Sequence, residues 1–149
     1  MTPAPLSGWR VVALSYPQAE LTHLSQVRAF VAEAVRALGA PEAMADDFVL
    51  AVDECVTNVV EHGYAGRAGA VTVEVERAGA AIVVRVRDAA PSFDPLQLPD
   101  PDLSRPLEER PIGGLGVYLV RRLMDAVSYR IPPQGGNELT LLKHLSPAV

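Results

Sequence analysis

Cys55 is the one cysteine in the chain, which excludes an internal disulfide framework. No apolar run approaches the roughly 18 residues that a membrane span requires. The first residues, MTPAPLSGWR, lack the basic start and apolar core of a secretion signal, so a cytoplasmic protein without membrane contact is expected. Positive charge is not in excess: the formal net charge is −5, which argues against direct nucleic-acid binding. His23, His62 and His144 are scattered and have no cysteine cluster beside them, a pattern that offers no zinc site. What is present is ordinary for a globular protein. The 149 residues are 49% hydrophobic and 21% charged, which fits a single domain over 1–149 with a substantial core.

The most informative stretch is Phe48–Gly63, FVLAVDECVTNVVEHG. At about 100° per residue, Phe48, Ala51, Val52, Cys55 and Val59 share one side of a helix. Asp47, Glu54, Thr57, Asn58 and Glu61 lie on roughly the other side. Cys55 falls on the apolar side, which marks a buried thiol rather than a nucleophile. Glu54 and Asn58 are one turn apart. A carboxylate beside a carboxamide is a proton acceptor next to a neutral oxygen ligand, and that pair suits a magnesium–phosphate site. It also suits a plain solvated helix face.

Around this helix the chain reads as alternating strands and helices. Trp9–Leu14 has the β-branched content of a strand, Tyr16-Pro17 is a turn signal, and Gln18–Leu38 carries a helical apolar stripe closed by Gly39. Pro41 opens the helix that runs to about His62. Ala70–Glu76 and Ile82–Arg87 alternate apolar and polar residues on either side of Gly79, the pattern of a hairpin with one buried face. Six of the thirteen prolines then fall between Asp88 and Ile112. A stretch of that length without periodicity reads as a lid or binding loop, about 89–112. Gly113-Gly114-Leu115-Gly116 follows and opens a helix at Val117–Ala126. Two strands finish the chain, Val127–Ile131 and Glu138–Leu145. The order predicts a two-layer α/β sandwich: a mixed, largely antiparallel sheet with helices on one face.

Two further groups carry chemistry. Asp88 ends a strand, where it forms a turn or, held in a partly buried pocket, accepts a hydrogen bond from an adenine amino group. The glycines at 113–116 open a helix, where they act as a hinge or let the backbone and helix dipole approach a phosphate. The Lys-Ser/Thr of a Walker A loop is missing, and no strand leads into the glycines as in a Rossmann fingerprint.

These residues resemble, in order and spacing, the anti-sigma-factor serine/threonine kinases of the GHKL, or histidine-kinase-like, ATPase superfamily. The likeness runs from Trp9 to Leu145. Glu54–Asn58 (ECVTN) is similar to the family's N box. Asp88 with Ser92-Phe93-Asp94 is similar to its first glycine box. Gly113–Val127 is similar to its second glycine box and the helix after it. The resemblance implies a Bergerat-type ATP-binding fold, with ATP and Mg²⁺ as cofactors. It implies Glu54 as general base, Asn58 as Mg²⁺ ligand and Asp88 as adenine reader. Ala90, Phe93, Gly113, Gly114, Leu115, Gly116 and Thr140 are implied to surround the nucleotide. Arg105 and Arg110 read first as solvated lid residues and second as groups that reach the γ-phosphate. Ala90 stands where the family usually has Gly, so it is expected to crowd the adenine edge. Glu138 stands where many members carry Thr, with Thr140 on the same strand face. The implied activity is a protein kinase that sequesters a sigma factor and phosphorylates an antagonist protein, with a homodimer possible. The alternative is a nucleotide-gated or non-catalytic partner-switching module.

Overall fold

Residues 11–99, 104 and 114–145 are described by the computed structural model. Trp9, Arg105, Arg110 and Gly113 lie outside the described residues, as does most of the lid beyond position 99. In chain order the elements are β1 (Val12–Ala19), α1 (Leu24–Ala37), α2 (Glu42–Asn58), β2 (Gly69–Ala78), β3 (Ala81–Asp88), α3 (Gly114–Leu123), β4 (Ala126–Arg130) and β5 (Asn137–His144). The strands form one sheet in the order β1-β2-β3-β5-β4. All four pairings are antiparallel, the limiting case of the largely antiparallel sheet expected.

The hairpin register sets the layers. Val73 faces Val86 and Val75 faces Val84 across β2 and β3, and Val84 faces Leu141 on β5. These side chains are buried together with Val27, Val31 and Val35 of α1, Phe48 and Val52 of α2, and Val120 of α3. All three helices therefore cover one face of the sheet, the two-layer arrangement that lets each amphipathic element bury its apolar side. Asp88 lies opposite both Val71 and Asn137. Asp88 and Asn137 therefore share the helix-covered face with these valines. Glu74, Arg85, Arg87, Glu138 and Thr140 occupy the other face.

Several boundaries differ from the sequence reading, each for a local reason. Tyr16-Pro17 is not a turn; both residues lie inside β1. β1 is an edge strand whose register breaks between Tyr16 and Ala19, and a bulge on an edge tolerates a residue without an N–H. The first helix begins at Leu24 and not Gln18, after a short 3₁₀ turn at Leu21–His23. Glu20 starts that turn, its N–H donating to His23 Nδ1 at 3.0 Å. α2 does not simply stop: it widens into a π-helical turn over Val59–Gly63. α3 starts at Gly114, so Gly114 and Gly116 lie inside its first turn rather than before it. It ends at Leu123, whose carbonyl is capped by Lys143 Nζ at 2.7 Å. Among the described residues no helix is long and apolar enough to cross a membrane.

The turn before β5 depends on a glycine. Gly136 has φ +81, and a Cβ there would sit 2.1 Å from the Asp88 carbonyl oxygen. Gly79 also has positive φ, +61, but its Cβ position is open. Gly136→Ala is therefore expected to cost about 3 kcal/mol, from strain plus displacement of the Asp88 backbone. Gly79→Ala should cost only about 1 kcal/mol. Urea unfolding of the two variants compares them; equal losses would contradict the tight approach at Gly136.

Candidate functional site

Stretches far apart in the chain meet at a cavity of about 590 Å³, within the usual range for small-molecule sites. α2 and its π turn supply Cys55, Asn58, His62 and Gly63; α3 supplies Val117 and Val120. β3 supplies Val86 and Asp88, β4 and β5 supply Val127, Tyr129, Asn137 and Leu139, and Pro91, Phe93 and Leu96 close one side. The wall is mostly apolar, with polar groups at a few points.

One of those points is where α2 meets α3. A Cβ placed on Gly116 would lie 2.9 Å from Glu54 Oε2 and 3.4 Å from Asn58 Nδ2. The missing side chain thus lets the first turn of α3 lie directly against the polar face of α2. Asn58 lines the cavity, and Glu54, one turn earlier, lies beside the cavity rather than on its wall. Burial, with help from Asp53 and Glu61, raises the Glu54 carboxyl above its ordinary range. A carboxylate shifted upward in this way is a better proton acceptor. The π turn follows Asn58 directly. Such turns inside helices often occur at functional sites, and this one presents His62 and Gly63 to the same cavity.

The other polar point is Asp88. Its Oδ1 accepts hydrogen bonds from Asn137 Nδ2 at 2.8 Å and from the Ala90 N–H at 2.9 Å. Burial pushes the carboxyl up from its usual range, and those two hydrogen bonds oppose the shift. Tyr64 ties the end of the π turn to this corner. Its hydroxyl donates to the Ala70 carbonyl at 2.5 Å and accepts from the Ala89 N–H at 2.7 Å.

The residues singled out in the sequence divide into those that meet here and those that do not. Asn58, Asp88 and Phe93 line the cavity, with Glu54 and Gly116 in contact range of Asn58's turn. Gly114 and Leu115 belong to the first turn of α3. Ala90 does not crowd the cavity. It is 3% exposed and packs toward Gly63, where a Cβ would come within 3.2 Å of its own. Its φ is not positive, so alanine fits without backbone strain. Thr140 does not reach the cavity either. It pairs with Arg85 and Ser128 on the open face of the sheet. Glu138 lies on that face too, bonded to Arg87 Nε and Arg130 Nε, each at 2.6 Å. Burial would raise its carboxyl, but the bonds from Arg130 and Arg87 outweigh it and hold the carboxyl below its usual range. Asn137, Tyr129 and His62 line the cavity without having been singled out. Strand alternation carried a signal for Asn137, which is two residues before Leu139 and so on its face.

Comparison with known proteins gives consistent matches. Residues 18–143 match the family model described as histidine kinase-like ATPase domain. The chain is 32% identical over 99 residues to the serine/threonine-protein kinase BtrW of Bordetella bronchiseptica, covering 66% of this chain and 69% of that protein. It is 33% identical over 86 residues to the serine-protein kinase RsbW of Bacillus cereus, where it spans about half of that protein, 54%, and 55% of this chain is matched. A crystal structure of the RsbU and RsbW domains of Rv1364c from Mycobacterium tuberculosis superposes with a TM-score of 0.62 at 23% identity. That match covers 92% of this chain and 33% of the other, and it supports the two-layer fold.

Cys55 lines the cavity, yet burial, reinforced by Glu54, pushes its thiol up to about 12. Thiolate, the reactive form, therefore gains population only as pH rises toward that value. At pH 8 the native protein is expected to react with dithionitrobenzoate about 100-fold or more slowly than the urea-unfolded chain. Equal rates would contradict an inert, buried thiol.

Proposed function

This chain belongs to the histidine kinase-like ATPase domain family, and from that premise we propose that it is an ATP-dependent serine/threonine protein kinase and anti-sigma factor. It would phosphorylate a serine or threonine of an antagonist protein and hold a sigma factor when the antagonist is absent. The observation that carries this reading is the contact at Gly116. An absent side chain there brings the first turn of α3 against Glu54 and Asn58, so a helix start, whose N–H groups can receive a phosphate, is held beside that pair. Kinship with the BtrW and RsbW kinases supports the same activity.

The cavity then has two chemically distinct ends. At one, the Asp88 carboxylate accepts from the amino group of adenine. At the other, Asn58 offers a neutral oxygen and the backbone of Gly114 and Gly116 offers N–H donors. Oxygen donors of this kind fit Mg²⁺, which takes one or two protein oxygens together with phosphate oxygens and water. Magnesium, when bound, supplies charge neutralisation at the phosphates. Asn58 is the protein ligand proposed, since its carboxamide oxygen is of that kind. Glu54 takes or orients the proton of the incoming hydroxyl, the role that its raised carboxyl suits. Positioning and charge dominate phosphoryl transfer, so the close packing of α2 on α3 matters as much as the base.

The non-catalytic alternative drew on Ala90 and Glu138. Ala90 is buried against Gly63, and Glu138 lies on the far face of the sheet, so neither obstructs the cavity. Their placement favours the catalytic reading over a module without transfer.

Purified protein, γ-labelled ATP and a serine-bearing antagonist test the kinase reading. Glu54→Gln is expected to keep ATP affinity within about threefold and to lower transfer by about 10²–10³. Because the base must be ionised and its carboxyl is raised, wild-type transfer should climb with pH through a limb above the ordinary carboxylate range. Glu54→Gln should lose that limb. Unchanged transfer in Glu54→Gln would remove the base role.

A further inference from the structure

We propose that Asn137 is the positioning residue for base selectivity: it fixes which oxygen of Asp88 meets the purine and pins the first residues of the lid to that carboxylate. The inference rests on the nucleotide reading above.

Asn137 is the first residue of β5 and lies opposite Asp88 in register. A carboxamide has an acceptor end and a donor end, and the neighbours decide which points where. Here they leave no choice. The N–H of Phe93, which can only donate, is 2.9 Å from Oδ1. The hydroxyl of Tyr129 donates to the same oxygen at 2.6 Å. Nδ2 therefore points the other way, where every partner is an acceptor: Asp88 Oδ1 at 2.8 Å and the carbonyls of Ala90 and Pro91, each at 3.3 Å.

This arrangement makes the two oxygens of Asp88 unequal. Oδ1 receives both Asn137 Nδ2 and the Ala90 N–H. Oδ2 takes no hydrogen bond among the described residues, while Asp88 lines the cavity. Oδ2 is thus the oxygen left for a ligand. An ionised oxygen there accepts from the amino group of a 6-aminopurine. A 6-oxopurine would set acceptor against acceptor. Asn137 imposes this choice through Asp88 and not through its own contact with the base. The same amide holds the backbone of residues 90–93, and Ser92 Oγ adds a bond to the Gly136 carbonyl at 2.7 Å. Phe93, 60% exposed, is therefore kept at the cavity by its own backbone N–H. Base reading and the start of the lid share one side chain.

Equilibrium dissociation constants for Mg-ATP and Mg-ITP, which differ at the 6-position, test the inference. They are measured on the wild type, Asn137→Ala and Asn137→Asp, with folding checked by circular dichroism. Asn137→Asp is isosteric: it keeps the acceptor for Phe93 and Tyr129 but replaces the donor to Asp88, Ala90 and Pro91 with a second carboxylate oxygen that repels Asp88. Both variants are expected to lower the ATP-over-ITP preference by about tenfold, through weaker ATP binding. A preference unchanged in the folded variants, with both nucleotides weakened alike, would mean that Asn137 serves structure only and would overturn the inference while leaving the nucleotide reading intact. Failure of the wild type to bind ATP at all would instead overturn that reading, and the inference with it.

Discussion

A carboxylate drawn away from water at the floor of a mostly apolar cavity is costly unless it is hydrogen-bonded. Asp88 is in that position, and much of the surrounding fold answers to it. Two donors meet its Oδ1, yet burial still holds its proton affinity above normal. One donor comes from the backbone of Ala90, which packs against the π turn at Gly63. The other comes from Asn137, whose strand can start there only because Gly136 allows backbone to approach the Asp88 carbonyl. The end of α2, the end of β3 and the start of β5 are thereby locked to one side chain. Such a group is weak as a source of stability and useful as a reader, since a matching donor from a ligand relieves what burial costs.

The far end of the cavity is built by subtraction. Gly116 has no side chain to separate α3 from α2, so Glu54 and Asn58 lie within contact range of the next helix's first turn. That brings a raised carboxyl, a neutral oxygen ligand and helical N–H donors to one place. The cavity wall also carries Val86, Val120 and Leu139, and a ligand filling the space against them would displace water and strengthen the charge interactions it makes. On the proposed reading, the separation of the two ends puts recognition at one and transfer at the other.

Much of this was legible in the sequence because period reports burial. The 3.6-residue pattern of Phe48–Val59 identified the buried face of α2, where Phe48, Ala51, Val52 and Cys55 are all within the core. The period-two pattern of Val71–Val75 and Ile82–Val86 marked the inner face of the hairpin. What failed were strand ends and faces set by partners rather than period. Pro17 reads as a breaker until an edge bulge accommodates it. Glu138 and Thr140 are placed near the nucleotide only by the family resemblance. The pleat sends them to the open face, where Glu138 joins Arg87 and Arg130. Asn137 gives little signal in the sequence because a turn rich in Pro and Gly hides where β5 begins. Ala90 reads in the sequence as crowding the base, because its packing on Gly63 is a tertiary contact with no local signature.

On the proposed reading, one adenine nucleotide spans the cavity from Asp88 to Asn58. A crystal structure of the protein with Mg²⁺ and a non-hydrolysable ATP analogue tests it most directly. The 6-amino group is expected within hydrogen-bonding distance of Asp88 Oδ2, with the phosphates against the first turn of α3 and Asn58. A nucleotide bound with its base away from Asp88, or with its phosphates away from Gly116, would contradict it.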